Sequence, residues 1–233
     1  MFDMLRAVGI DPLYLILVVP ALLLSLWAQF MVKTTFSKYS HVQCSKAITG
    51  KDAAALLLRS NKINDVAVEP VKGSLTDHYS PSDKKLRLSE PVYGASTISA
   101  VGVAAHEAGH AIQHARRWGP LALRSTLVPA ANIGSSLGPW MAIAGLGLSY
   151  PMLVNIGIIL FSAAVLFYVI TLPVEFNASD RAIKILRANN VLNEQELKGV
   201  KKVLTAAALT YVASALTAIA SLLRMILLSR RRR

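Results

Sequence analysis

Cysteine and acid are scarce in this chain. One residue of 233 is cysteine, Cys44. An intramolecular disulfide is therefore excluded, and so is a thiolate zinc site, which needs several cysteines. Acidic residues number 13 against 25 Lys and Arg, giving a net charge of +12. Charge is also unevenly placed. From Ser125 to Val174, 50 residues pass without Asp, Glu, Lys, Arg or His. No internal repeat or low-complexity linker divides the chain. What is abundant is apolar surface, at 54% of residues. A basic excess can signal nucleic acid. Here the cations border long uncharged runs, so membrane topology and anionic lipid explain them better, and no nucleic-acid partner is expected.

Leu13 to Val32 carries no charge over 20 positions, or ~30 Å of helix, enough to cross the hydrocarbon. A secretory signal has a shorter apolar core, ~7–15 residues, and a small-residue cleavage site. This run ends instead in Trp27, Gln29, Phe30 and Lys33. Residues 1–32 are expected to be an uncleaved anchor, with a kink at Pro20. Residues 33–118 read as a soluble α+β part. Thr49-Gly50-Lys51-Asp52 resembles a capping box opening a helix to about Asn61. Short strands are expected at Val66–Val68, Leu75–Tyr79 and Lys84–Ser89, the last two joined by a turn at Ser80–Asp83. Such a strand edge can pair with an extended peptide or simply pack on a helix.

A helix over about 97–118, capped by Ser96 or Thr97, carries Ala105-His106-Glu107-Ala108-Gly109-His110-Ala111. Residues four apart share a helix face, so His106 and His110 point the same way and can grip one Zn²⁺. Glu107 is placed to act as general base toward a water on that ion. The flanks are Val, Ala and Ile, as for a buried helix. The bland alternative, two satisfied core histidines, leaves a buried glutamate that is costly without a partner.

The charge-free stretch is long enough for a transmembrane hairpin over 125–172, turning at Gly147–Pro151. Its first half is rich in small residues, suiting close helix packing in lipid. Both ends of a hairpin return to one side, so the segment 173–202 comes back to the level of the metal helix. Glu175 is expected to open a helix there, and Asn193 with Glu196 to cap a second. Val203 to Leu223 is uncharged and can form a fourth span, leaving a basic tail within 203–233.

A catalytic zinc needs a third protein ligand. The metzincin pattern fails, because Gln113 and Arg116 stand where its glycine and third histidine belong. His114 shares the face of His106 and His110 but lies two turns from His106, too far to ligate with it. Glu175 is the outstanding candidate, a carboxylate directly after a hydrophobic span. Ser179, one turn on, can orient it, whereas Asp180 lies about 140° round the helix. His78, Tyr79, Tyr93 and Arg181 are candidates to stabilise the oxyanion.

Four segments together, Leu75–Tyr79, Leu86–Ser89, Ala104–Gln113 and Leu172–Ser179, resemble the neutral zinc metallopeptidases of the bacterial membrane, the YugP type. The resemblance covers nearly the whole chain and implies an integral membrane gluzincin. HtpX-like and CAAX-prenyl proteases look like more distant relatives. Their pattern has an aspartate four residues after the ligand glutamate, where this chain has Ser179.

The expected fold is mainly α, a multi-span integral membrane protein with a small α+β zincin-like part in which a short hairpin packs on the metal helix. The expected function is a zinc endopeptidase with one catalytic Zn²⁺, held by His106, His110 and Glu175, and Glu107 as base. It would act on membrane or membrane-proximal proteins or peptides, with the lipid bilayer as its other partner; a homo-oligomer is left open. The expected location is the bacterial cytoplasmic membrane, with the catalytic side facing the cytoplasm by the positive-inside tendency. Rival readings are a non-catalytic membrane zinc protein, a scaffold with an accidental motif, and a site-2-type intramembrane protease, which would bury the motif within a span.

Overall fold

The computed structural model describes residues 11–231; the first ten residues of the expected anchor lie outside them. The chain divides into two compact units. One comprises Phe30–Ala122 and Pro173–Ala208; the other comprises the described parts of Met1–Gln29, Leu123–Leu172 and Leu209–Arg233.

A π-helical turn at Tyr14–Val18 leads into α1 (Val19–Ser40), and Pro20 sits at that junction. The helical run already begins at residue 12, so Pro20 lies inside it, where its missing N–H removes one hydrogen bond. In the first unit, α2 (Gly50–Ser60) is capped by Thr49, whose Oγ1 accepts from the Asp52 amide at 3.1 Å, as the capping box implies. Three strands follow, β1 (Ala67–Val71), β2 (His78–Ser80) and β3 (Lys85–Ser89), in the order β1-β3-β2. β2 and β3 form the expected antiparallel hairpin. β1 runs parallel to β3, and it extends past the expected Val68 to include Pro70. A proline fits there because β1 is an edge strand, with no ladder bond to donate on its outer side. Leu86 and Leu88 are fully buried. Lys85 and Arg87 point the other way and pair with Glu69 at 2.9 Å and Asp83 at 2.6 Å.

The short α3 (Glu90–Tyr93) precedes α4 (Ile98–Ala115), which is capped by Thr97. α2 packs along α4, and β2 and β3 lie against it. The core around them holds Leu57, Leu86, Leu88, Val92, Val101 and Ile112. α4 stops at Ala115 rather than Trp118. Arg117 takes a left-handed conformation (φ 48°), which ends the helical hydrogen-bond series.

In the second unit lie most of α5 (Gly119–Gly147) and the first part of α6 (Pro151–Ala188), which are joined by a tight turn, and their backbones approach closely. A Cβ on Gly134 would lie 2.1 Å from the Leu160 carbonyl oxygen, and one on Gly157 2.6 Å from the Ala142 amide nitrogen. The last helix, α7 (Glu194–Arg231), runs without a break. Its start shows the expected reciprocal cap: the Glu196 amide donates to Asn193 Oδ1 at 2.9 Å, and the Asn193 amide to Glu196 Oε2 at 2.8 Å. Further along, Arg224 pairs with Asp11 at 2.6 Å.

Two expectations change. Glu175 does not open a new helix: α6 continues unbroken through Pro173, so the apolar run and the segment bearing Glu175 are one element. A proline inside a helix removes one hydrogen bond, and the chain tolerates this loss in a long apolar helix, as membrane helices commonly do. Four spans were expected, and among the described residues three helices are long and apolar enough to cross a membrane: Tyr14–Ser40, Pro151–Ala188 and Glu194–Arg230. Gly, Ser, Asn and Pro dilute the apolar content of α5 below that level.

Candidate metal centre

The site begins with helical spacing. His106 and His110 stand one turn apart on α4, with ring centroids 4.7 Å apart and planes nearly perpendicular at 86°. Across from them α6 presents Glu175, only 2% exposed. His106 Nε2 lies 3.2 Å from Glu175 Oε2, and His110 Nε2 lies 3.5 Å from the same atom. The three side chains offer ligand atoms within 4.8 Å of one another. Gly109 allows this approach. A Cβ there would lie 2.6 Å from the Ala178 carbonyl oxygen on the facing turn of α6.

The donor set suits zinc in chemistry and spacing. Ligand atoms bound at ~2.0–2.1 Å at the corners of a tetrahedron lie about 3.3 Å apart, and both separations to Glu175 Oε2 fall close to that. Three ligands leave the fourth position to water or substrate, the open arrangement of catalytic sites. The electrostatics agree. Burial pushes the His110 pKa down, but the hydrogen bond to Glu175 and the charges of Glu107 and Glu175 outweigh it, so the net shift is upward. This pocket therefore favours positive charge beside that imidazole, as a cation site must. Glu107, 9% exposed, follows His106 on the same helix.

The outer atoms of both imidazoles are held. His106 Nδ1 lies 3.1 Å from Ser179 Oγ on α6, and His110 Nδ1 lies 3.0 Å from Gln113 Oε1 on α4. Ser179 thus reaches the site through His106 rather than through Glu175. Gln113 is wholly buried, and its Nε2 donates to the Val174 carbonyl at 2.8 Å and to Asn177 Oδ1 at 3.1 Å. Sequence reasoning considered Gln113 only as the residue that breaks the metzincin pattern. An amide three residues after the second histidine was the available signal.

The other candidates are occupied elsewhere. Tyr79 Oη pairs with His114 Nδ1 at 2.8 Å. His78 is exposed, with Nδ1 near the Thr76 carbonyl at 2.9 Å. The Arg181 Nε–H donates to Asn177 Oδ1 at 2.6 Å, and the Tyr93 ring lies beneath the Lys51 ammonium at 5.5 Å. Asp180 pairs with Lys184 at 2.7 Å.

A His-His-Glu donor set with its carboxylate buried, drawn from H-E-x-x-H on one helix and a glutamate on a second, marks a zinc-peptidase class of site. Comparison with known families agrees: the model described as "Putative neutral zinc metallopeptidase" matches residues 14–230, and the chain belongs to that family. It is 50% identical over 216 residues to "Putative membrane protease YugP" of Bacillus subtilis (strain 168), covering 93% of this chain and 96% of that protein. No solved structure matches.

Proposed function

We propose that this protein is a membrane zinc endopeptidase whose zinc is held by His106, His110 and Glu175, with Glu107 as general base and acid. The observation that carries the reading is the convergence of both Nε2 atoms on one buried carboxylate oxygen. A zinc ion there would lower the pKa of its water from 15.7 toward ~7 and polarise the scissile carbonyl. Glu107 takes the proton from the attacking water and returns it to the leaving amine. Glu175 neutralises charge from within the pocket. Ser179 and Gln113 keep the imidazoles turned with Nε2 inward.

Glu175 lies three residues beyond Leu172 on α6, ~4.5 Å along the axis at ~1.5 Å per residue. This short distance from the apolar run favours substrates that are membrane proteins or membrane-held peptides. Lys and Arg are plentiful in 33–118 and after Glu175, which favours a cytoplasmic catalytic side. The test is purified full-length protein in detergent, assayed for bound zinc and for cleavage of a casein-like substrate. Zinc bound near one per chain, with activity lost in Glu107→Gln, is the expected result. Full activity in that variant, or a parent protein that binds no metal, overturns the reading.

A further inference from the structure

The Gln113 amide has one acceptor and two donors to place, and its surroundings leave one way to place them. The Val174 carbonyl can only accept, so it must face the amide nitrogen, 2.8 Å away. The amide oxygen is then committed to His110 Nδ1 at 3.0 Å. That oxygen can only accept, so His110 Nδ1 must carry a hydrogen. A neutral imidazole with its hydrogen on Nδ1 has its lone pair on Nε2, the atom that faces Glu175. The same amide nitrogen also reaches Asn177 Oδ1, which Arg181 Nε holds from its other side. One side chain thus touches a histidine on α4 and the backbone of the residue next to Glu175 on α6.

We propose that Gln113 is a positioning residue that sets the metal-competent form of His110 and, through the Val174 carbonyl, keeps the Glu175 segment in register with it. The proposal rests on the zinc reading above. The two halves of the site are 65 residues apart in sequence, and each can drift unless something other than the metal spans them. His106 Nδ1 has its partner on α6 in Ser179, whereas the partner of His110 Nδ1 is on its own helix. Gln113 therefore supplies for His110 both a tautomer and a cross-helix tie. With that tie in place, the three donors stand close together before an ion arrives.

The test is zinc affinity of the full-length protein, measured by chelator competition, together with the visible spectrum of the cobalt-substituted form and the thermal midpoint. Gln113→Met keeps the volume and removes all polar contacts. Loss of a group that orients a metal ligand weakens binding by roughly 10- to 100-fold, and that range is expected here, with altered cobalt bands. Asn177→Ala removes one acceptor from the amide but leaves its oxygen on His110, so it should weaken zinc by less than Gln113→Met. If Gln113→Met does not fold, Gln113→Asn is measured instead; its amide is one methylene short, and it should also bind zinc more weakly than the parent. A lowered midpoint with unchanged zinc affinity and unchanged cobalt bands, in whichever variant folds, makes Gln113 a packing residue and overturns the proposal. A parent that binds zinc tightly while the variant equals it defeats only the role of Gln113. A parent that binds no zinc defeats both readings.

Discussion

The two units of this molecule have opposite insides. In the unit of Phe30–Ala122 and Pro173–Ala208, the largest apolar side chains point inward: Leu57, Leu86, Leu88, Ile112 and Leu186 are all fully buried. In the other unit half of the buried cluster is alanine, Ala142, Ala164 and Ala218 beside Phe161, Val165 and Met225, and many of the bulkiest residues face out. Trp140 is 71% exposed, Leu148 75% and Ile159 69%. The first pattern is what water selects, since burial of apolar area is the driving force. The second suits lipid, where that force between helices is absent and close approach of backbones replaces it. Both units use glycine for contact. In one, Gly134 and Gly157 let apolar helices touch; in the other, Gly109 brings a carboxylate within reach of two imidazoles.

The sharpest way to separate the two insides is through chemistry. Glu107→Gln should lower turnover by ~10²–10⁴-fold, the usual worth of a general base, while zinc content by metal analysis stays near the parent level. Ile159→Lys comes next. In water an exposed substitution of this kind changes stability by about 0.5 kcal/mol at most. At a lipid-facing helix centre a lysine costs ~2.5–3.5 kcal/mol, so membrane insertion yield should fall sharply. Unchanged insertion would break the contrast between the units.

A pair of glycine variants tests the shared device. Gly109→Ala and Gly134→Ala each place a Cβ inside contact distance of a carbonyl, and each should destabilise by ~1–3 kcal/mol as overpacking does. Only Gly109→Ala should also weaken zinc binding, read by chelator competition. The smallest effect concerns Cys44, which lies in the water-built core at 5% exposure. Burial, and then the Glu196 charge, push its thiol pKa from 9.0 up to about 11. The reactive form is the thiolate, so at pH 8 a raised pKa lowers its fraction ~100-fold, and the greater nucleophilicity of that thiolate returns about tenfold. Native protein should therefore react with an aromatic disulfide reagent roughly ten times slower than an ordinary thiol before burial slows it further, and the rate should climb as pH rises toward 11.

Much of this was legible in the residues, and the reasons are local. The spacing of His106 and His110, the caps at Thr49 and Asn193, and the alternation around Leu86 and Leu88 each involve neighbours within a turn or a pleat. Glu175 could be singled out because a carboxylate beside so long an uncharged run needs a cause. Other features were not legible. The path of α6 through Pro173 depends on the whole length of that helix, against the local preference of proline to end one. The parallel pairing of β1 with β3 is a contact between strands separated by the whole of β2. The commitment of Tyr79 to His114 likewise follows from where the hairpin lies.

By itself the sequence determined the chemistry at hand: two imidazoles on one helix face, a base beside them, a lone carboxylate after an apolar run, and too few cysteines for a thiolate zinc site. Short-range helical geometry is enough for that. The tertiary structure alone decided which atoms meet. It set both Nε2 atoms on one oxygen of Glu175, gave Ser179 to His106, and made Gln113 the link between His110 and Val174. Those pairings join α4 to α6 across some 65 residues of chain. Hydrogen bonds act over about 3 Å, so partners so far apart in sequence are specified only once the two helices have packed.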